Sequence, residues 1–324
     1  MKAILFESYG SPDVLELKEA DKPTPTANEV LVKVHAAGTN PLDWHKMRGA
    51  PVLVRLTDGL LKPKDNRLGA DVAGTVEAVG SEVSSFKIGD TVFGERGVGG
   101  FAEYVCVPEK LLAHKPDNLT FAEAAAVPVA ALTALQALRD SGNIQAGQAV
   151  LINGASGGVG TFMVQLAKHF GAEVTAVCST RNIELVQKLG AAHIIDYTKE
   201  KVVGNGRQYD VVQDNVGNLK ASDFRRLLKP QGVGVMVGFT TIRRMLGNVL
   251  AGRWSAFRGG PTISPMLAHP NKEDMELLHE LLARNVLKPI IDRCYPLAET
   301  AEAIRYLETS RARGKVVILM EETR

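Results

Sequence analysis

The stretch Ala149-Val150-Leu151-Ile152-Asn153-Gly154-Ala155-Ser156-Gly157-Gly158-Val159-Gly160 constrains this chain more than any other. An apolar run rich in β-branched residues reads as a buried parallel strand, a glycine cluster turns the chain, and Phe162 to Lys168 reads as a helix. Strand, glycine turn and helix in that order are the parts of a dinucleotide pyrophosphate site. Ala155, Ser156, Gly157, Gly158, Val159 and Gly160 would line it. Gly157 lets backbone approach the phosphates, Gly160 lets the helix pack on the strand, and the free N–H groups of the first helical turn face the anion. Ala155 stands where G-x-G-x-x-G has its first glycine. Gly154, Ser156 and Gly158 also fit G-x-S-x-G, so a serine hydrolase with Ser156 as nucleophile is a competing class. It requires an acid and then a histidine downstream. His269 and His279 are available, but neither lies in a loop that follows a strand.

At 324 residues the chain should hold about two domains. A net charge of +2 gives no reason to expect nucleic acid. No run is long and apolar enough to span a membrane, and Met1 to Phe6 reads as a strand rather than a signal peptide. Cys106, Cys178 and Cys294 are too scattered for a disulfide framework or a zinc knuckle; they read as buried reduced thiols of a cytoplasmic protein. Residues 1 to about 120 are mostly β, with strands around 29–38, 72–80, 86–94 and 99–107. Thr120 and Glu123 form a capping box, and Val127 to Arg139 continues helical with Pro128 as an interruption. Strands near 150–153, 173–178, 193–196, 210–214 and 233–237 then alternate with helices near 159–169, 181–189 and 219–228. This is a doubly wound parallel α/β sheet. Residues 240–270 read as irregular. A helix over 271–284, a strand-like 287–295, a helix over 298–308 and a strand over 314–319 follow.

With that order in place, the sequence resembles the medium-chain dehydrogenase/reductase superfamily, and most nearly its zinc-independent quinone and enone oxidoreductases. The resemblance rests on Gly38-Thr39-Asn40-Pro41-Leu42-Asp43-Trp44, Gly69 to Gly74, Gly89-Asp90-Thr91-Val92, Ala124 to Pro128, Gly154 to Gly160 and Ala312 to Val317. It implies a mainly β, GroES-like catalytic domain (1–121, completed by 271–324) with a Rossmann dinucleotide domain (122–270) inserted. Zinc-dependent relatives place a cysteine at Asn40 and His-Glu at Ala70-Asp71. Asn40 is a poor zinc ligand beside a thiolate and Ala70 is none, so no metal is expected. Reversible alcohol oxidation would then lack its Lewis acid, whereas an already electrophilic quinone or enone can still accept hydride.

An NAD-preferring site carries Asp or Glu at the end of its second strand. Here Cys178-Ser179-Thr180-Arg181-Asn182 has none. Ser179 and Thr180 can donate to a phosphate and Arg181 can pair with it, which points to NADPH. By the resemblance, Tyr197 packs near that phosphate, Thr133 lies near the nicotinamide, and Asn215, Gly238 and Phe239 border the nicotinamide and its ribose. Asn40, Asp43 and His45 are the candidate catalytic residues: Asn40 to donate to a carbonyl, Asp43 to orient neighbours, His45 to give a proton to the enolate. Ile242 to Arg258 mixes arginine with large apolar residues, and would cover a substrate cleft, pack in a dimer or lie on an anionic membrane. The expected protein is a cytoplasmic homodimeric reductase of small quinones or enones. A zinc-free alcohol or aldehyde oxidoreductase and a low-turnover NADPH-binding redox sensor are the alternatives.

Overall fold

Alternation of apolar residues along Glu29–Gly38 builds the longest strand among the described residues, at the heart of a seven-stranded sheet; a six-stranded sheet and a two-stranded one complete the β structure. The computed structural model describes residues 1–204, 206–238 and 240–320, in two compact units.

The first unit, Met1–Ala130 with the described residues from Pro270 on, begins with the antiparallel pair β1 (Lys2–Leu5) and β2 (Glu16–Glu19). β3 (Glu29–Gly38) leads into α1 (Pro41–Arg48) and α2 (Leu53–Asp58). These two helices stand inside a segment read as β. β4 (Asp71–Val79), β5 (Thr91–Glu95), β6 (Tyr104–Pro108), β7 (Leu112–His114) and α3 (Phe121–Ala125) follow. The capping box at Thr120 and Glu123 forms as its residue types dictate. Pro128 does not interrupt a helix. It is the first residue of α4 (Pro128–Gln136), where its missing N–H leaves no bond unmade.

The second unit, Ala131–His269, holds β8 (Ala149–Asn153), α5 (Gly158–His169), β9 (Glu173–Cys178), α6 (Ile183–Leu189), β10 (His193–Asp196), β11 (Tyr209–Asp214), α7 (Ala221–Leu227) and β12 (Leu228–Met236). The expected irregular stretch is instead ordered as α8 (Ile242–Phe257) and β13 (Thr262–Pro265). The sheet is wholly parallel, in the order β10-β9-β8-β11-β12-β13. Its central strands are buried on both faces, which is why they read as continuous apolar runs.

The chain then returns to the first unit through α9 (Lys272–Ala283), capped by Asn271, β14 (Ile291–Pro296), α10 (Thr300–Glu308) and β15 (Lys315–Leu319). β15 pairs antiparallel with the end of β3, setting Val317 opposite Gly38. The thiols are free, but only Cys106 and Cys178 are buried; Cys294 is exposed because β14 is an edge strand. Among the described residues no helix is long and apolar enough to cross a membrane.

Candidate functional site

In the second unit the turn after β8 is built by three glycines with three different reasons. Gly154 has φ +80°, a conformation that L side chains rarely adopt. Gly160 faces that turn so closely that a Cβ would come within 2.1 Å of the Gly154 carbonyl oxygen. Gly157 is different. It caps α5 with extended backbone, and a Cβ there would meet nothing nearer than 3.6 Å. Backbone conformation therefore demands glycine at Gly154 and packing demands it at Gly160, whereas at Gly157 a Cβ would make only ordinary van der Waals contact with the described residues. Gly158, Val159 and Gly160 supply the first-turn N–H groups, which have no partner inside the helix. Ala155 is buried. The Ser156 hydroxyl accepts from the Asn182 amide at 2.8 Å, and His279 Nδ1 lies against the His114 carbonyl.

At the end of β9, Ser179 caps a short 3-10 turn over Thr180–Asn182. Thr180 does not present its proton outward: it donates to Asp196, and its oxygen lies 2.9 Å from that of Thr198. An acid thus does stand at this edge of the sheet, contributed by β10 rather than β9. Thr180 and Thr198 hold its carboxyl below the usual range. Arg181 and Tyr197 are exposed. Asp214, buried at the end of β11, accepts from the N–H groups of Gly217 and Leu219 and from Asn153, which fixes the loop bearing Asn215. The Oδ1 atoms of Asn182 and Asn215 are buried without a hydrogen-bond partner. Thr133 is buried in α4 and Gly238 follows β12; Phe239 lies outside the described residues. The N–H groups of the first helical turn fit an anion, and the two orphaned amide oxygens need hydroxyl or N–H donors; a dinucleotide offers both.

In the first unit, Asn40 follows β3 and caps α1. The signal was present in the sequence: Asn40, Pro41 at the first helical position and Asp43 three residues on. Asp43 accepts from the Asn40 N–H at 2.7 Å and the Gly69 N–H at 2.8 Å. Burial pushes its carboxyl up to about 7 while those two donors pull it down. The Asn40 amide donates to Asp71 at 2.9 Å, and its oxygen accepts from Lys315 at 2.5 Å. Lys315 also pairs with Asp71 at 3.1 Å, and Asp71 accepts from the Val129 N–H. The side chains of Lys315 and Asp71 are 3% and 0% exposed. The sequence had marked Asp71 only as standing at a zinc-ligand position of relatives and Lys315 only as part of the final strand motif, and had paired neither with Asn40. Both polar atoms of Asn40 are engaged within this cluster. His45 is half-buried, stacked on Trp44 at 3.7 Å, with Nδ1 at 2.7 Å from the Ala50 carbonyl. A carbonyl only accepts, so Nδ1 carries a proton; burial lowers the ring's affinity for a second one. Among the described residues no three His, Cys, Asp or Glu side chains could hold a metal ion.

Glu95 of β5 sits opposite Asp71 in the sheet, and burial, then the Asp71 charge, push its carboxyl up to about 7. The folded chain therefore keeps a proton that the unfolded chain releases above pH 4.5, and stability falls as pH rises from about 4.5 to 7. Glu95→Gln removes this loss: the variant will be more stable than the parent by about 1–3 kcal/mol at pH 8 and equal to it at pH 4, read by urea unfolding.

A wholly parallel, doubly wound sheet with a glycine turn opening a helix at a central strand defines a dinucleotide-binding fold. An alcohol dehydrogenase GroES-like domain profile matches residues 26–117, and a zinc-binding dehydrogenase profile matches residues 189–318. The chain is similar to 2-methylene-furan-3-one reductase of Solanum lycopersicum, 39% identical over 98% of this chain and 79% of that one. It is 36% identical, with the same coverage, to an NADPH-dependent alkenal/one oxidoreductase of Arabidopsis thaliana. Among solved structures it resembles the quinone oxidoreductase of Coxiella burnetii, with a TM-score of 0.87, 34% identity and 99% of each chain covered. This chain belongs to the medium-chain dehydrogenase/reductase superfamily, among its quinone and enone oxidoreductase homologues.

Proposed function

We propose that the protein is an NADPH-dependent oxidoreductase that reduces quinones or α,β-unsaturated carbonyls without zinc. The observation that carries it is Gly157: among the described residues a Cβ there would meet only an ordinary van der Waals contact, so packing does not exclude one, and its absence suits a ligand pressed against the backbone. Relatives at 36–39% identity named for alkenal/one and furanone reduction support the same chemistry. The bound nucleotide supplies the hydride. Gly158, Val159 and Gly160 hold its pyrophosphate, and Ser179 and Arg181, beside Tyr197, hold the 2′-phosphate. Asn215, Gly238 and Thr133 border the nicotinamide.

Zinc independence rests on the donor set. Asn40 stands where zinc-dependent relatives use a thiolate, and its amide is committed to Asp71 and Lys315. Asp43 acts as a positioning residue, tying the Asn40 and Gly69 backbone together. His45, neutral and giving its Nδ1 proton to Ala50, is a poor acid near neutral pH, so solvent delivers the proton to the reduced carbon. We further propose a cytoplasmic homodimer. The free thiols suit a reducing compartment, and β13, the last strand of its sheet, offers an edge for pairing with a copy.

Purified protein will oxidise NADPH at least about tenfold faster than NADH at low nucleotide concentration, with a quinone or an enone as acceptor. Chelators will leave the rate unchanged, and Arg181→Ala will narrow the nucleotide preference. Equal use of both nucleotides would remove the role given to Arg181. Loss of activity on chelation would remove the zinc-free mechanism, and tight NADPH binding without turnover on either acceptor would favour a sensor.

A further inference from the structure

The chain as a whole is nearly neutral, with 38 Lys and Arg against 36 Asp and Glu. That balance is not local. From Phe224 to Lys272 there are eight Lys and Arg residues and no Asp or Glu at all. α8 lies in the middle of this acid-free stretch. Its inner side is fixed: Gly252 is buried against Ile263 of β13, and the Asn248 amide donates to the Leu219 carbonyl at 3.0 Å. Its outer side is apolar and open. Leu246, Leu250, Trp254 and Phe257 are 53%, 68%, 60% and 85% exposed. Steps of four, four and three residues put them in one stripe along the helix. Arg243, Arg253 and Arg258 are exposed around that stripe, and the Arg258 guanidinium lies 4.6 Å over the Trp254 ring. On the neighbouring α7, Arg225 and Arg226 are exposed as well.

We propose that the outer face of α8 is a docking surface for an anionic lipid bilayer. Leucine, tryptophan and phenylalanine enter the boundary between headgroups and acyl chains, while the arginines, on long apolar stems, reach the phosphates. The charge pattern selects this occupant. A second copy of the chain meeting the face across a two-fold axis would bring the same arginines against themselves, and α8 carries no carboxylate to offset them. A nucleic acid would match the charge but leave the apolar stripe without a partner. The helix lies on the surface and does not cross it, since it is too short and too charged to span. This surface does not depend on the reaction assigned above.

The test is co-sedimentation of the full chain with vesicles of phosphatidylcholine alone or mixed with phosphatidylserine. Binding is expected on the mixed vesicles, weakly or not at all on the neutral ones, and is expected to fall with added salt. The triple variant Arg243→Ala/Arg253→Ala/Arg258→Ala should bind about a hundredfold more weakly, at about fivefold per arginine, with an unchanged circular dichroism spectrum. In a Trp44→Phe background, Trp254 emission should shift to the blue on the mixed vesicles, as its ring leaves water. Equal binding to both vesicles, no binding to either, or no effect of the triple variant would overturn the proposal. So would a dimer that dissociates in Trp254→Ala/Phe257→Ala while the parent ignores lipid.

Discussion

Lys315→Met will lower the stability of the first unit by about 3–5 kcal/mol, because it leaves the Asp71 carboxylate buried without its ion-pair partner. The methylene stem is kept, so the loss reports the ammonium and not a cavity. Asn40 also loses the donor to its side-chain oxygen, and a buried acceptor left unmade adds to the cost. The measurement is urea unfolding followed by Trp44, which sits on α1 next to the cluster, in a Trp254→Phe background. The double variant Asp71→Asn/Lys315→Met should recover a large part of the loss, since it removes the stranded charge as well as its partner. If the single variant loses less than about 1 kcal/mol, the pair contributes no more than an exposed ion pair does, and the buried cluster does not hold α1 in place.

Gly157→Val will abolish NADPH binding at assay concentrations while leaving the fold intact. The position has extended backbone, φ −83° and ψ 178°, which valine adopts freely, and the nearest described atom to a Cβ lies at 3.6 Å, an ordinary van der Waals contact. Stability should therefore change by less than about 0.5 kcal/mol. Affinity should fall by about a hundredfold or more, as two charge-assisted contacts to a phosphate, each contributing about 1.5–3 kcal/mol, are pushed out of reach. Gly160→Ala is the counterpart. Its Cβ would overlap the Gly154 carbonyl at 2.1 Å, so it should destabilise the second unit by about 1–3 kcal/mol or more. Calorimetric titration with NADPH and thermal unfolding together separate the two. A Gly157→Val protein that binds as tightly as the parent would take the pyrophosphate away from this turn.

The contrast between these glycines also marks what the sequence could convey. The strand, turn and helix from Ala149 to His169 were readable because β-branched runs and glycine act locally. α8 and β13 were not. Gly247 and Gly252 weaken a helix on propensity alone, and residues 240–270 read as irregular. Yet Gly252 is what lets the helix approach the sheet: a Cβ there would strike the Ile263 carbonyl at 2.4 Å. Its reason lies in a neighbour rather than in its own helix. The start of β12 was missed as well: Leu228 pairs with Tyr209, the register then slips to Val211 opposite Val233, and the residues between them carry no regular pairing for the sequence to signal. The polar cluster lay further out of reach. Asn40 and Asp43 could be named from their position after a strand, but Lys315 reads as an ordinary charge at a strand start. Its burial depends on two residues far away in the chain. Asp196 shows the limit of a motif argument: the acid absent from the end of β9 is supplied by the adjacent β10.

The separation of Lys315 from Asp71 has a consequence for the order in which the molecule comes into being. The two partners lie 244 residues apart. At about 5–20 residues per second, a ribosome needs roughly 12–50 s to pass from one to the other. Through that interval the whole of residues 131–269 is made and is free to fold by its own short-range connections. β3 and β4, already outside, wait with a carboxylate that has no ammonium to meet. The first part of the chain to emerge is thus among the last to be finished. The nascent protein holds a completed nucleotide unit alongside an unfinished sheet until β15 arrives to close it.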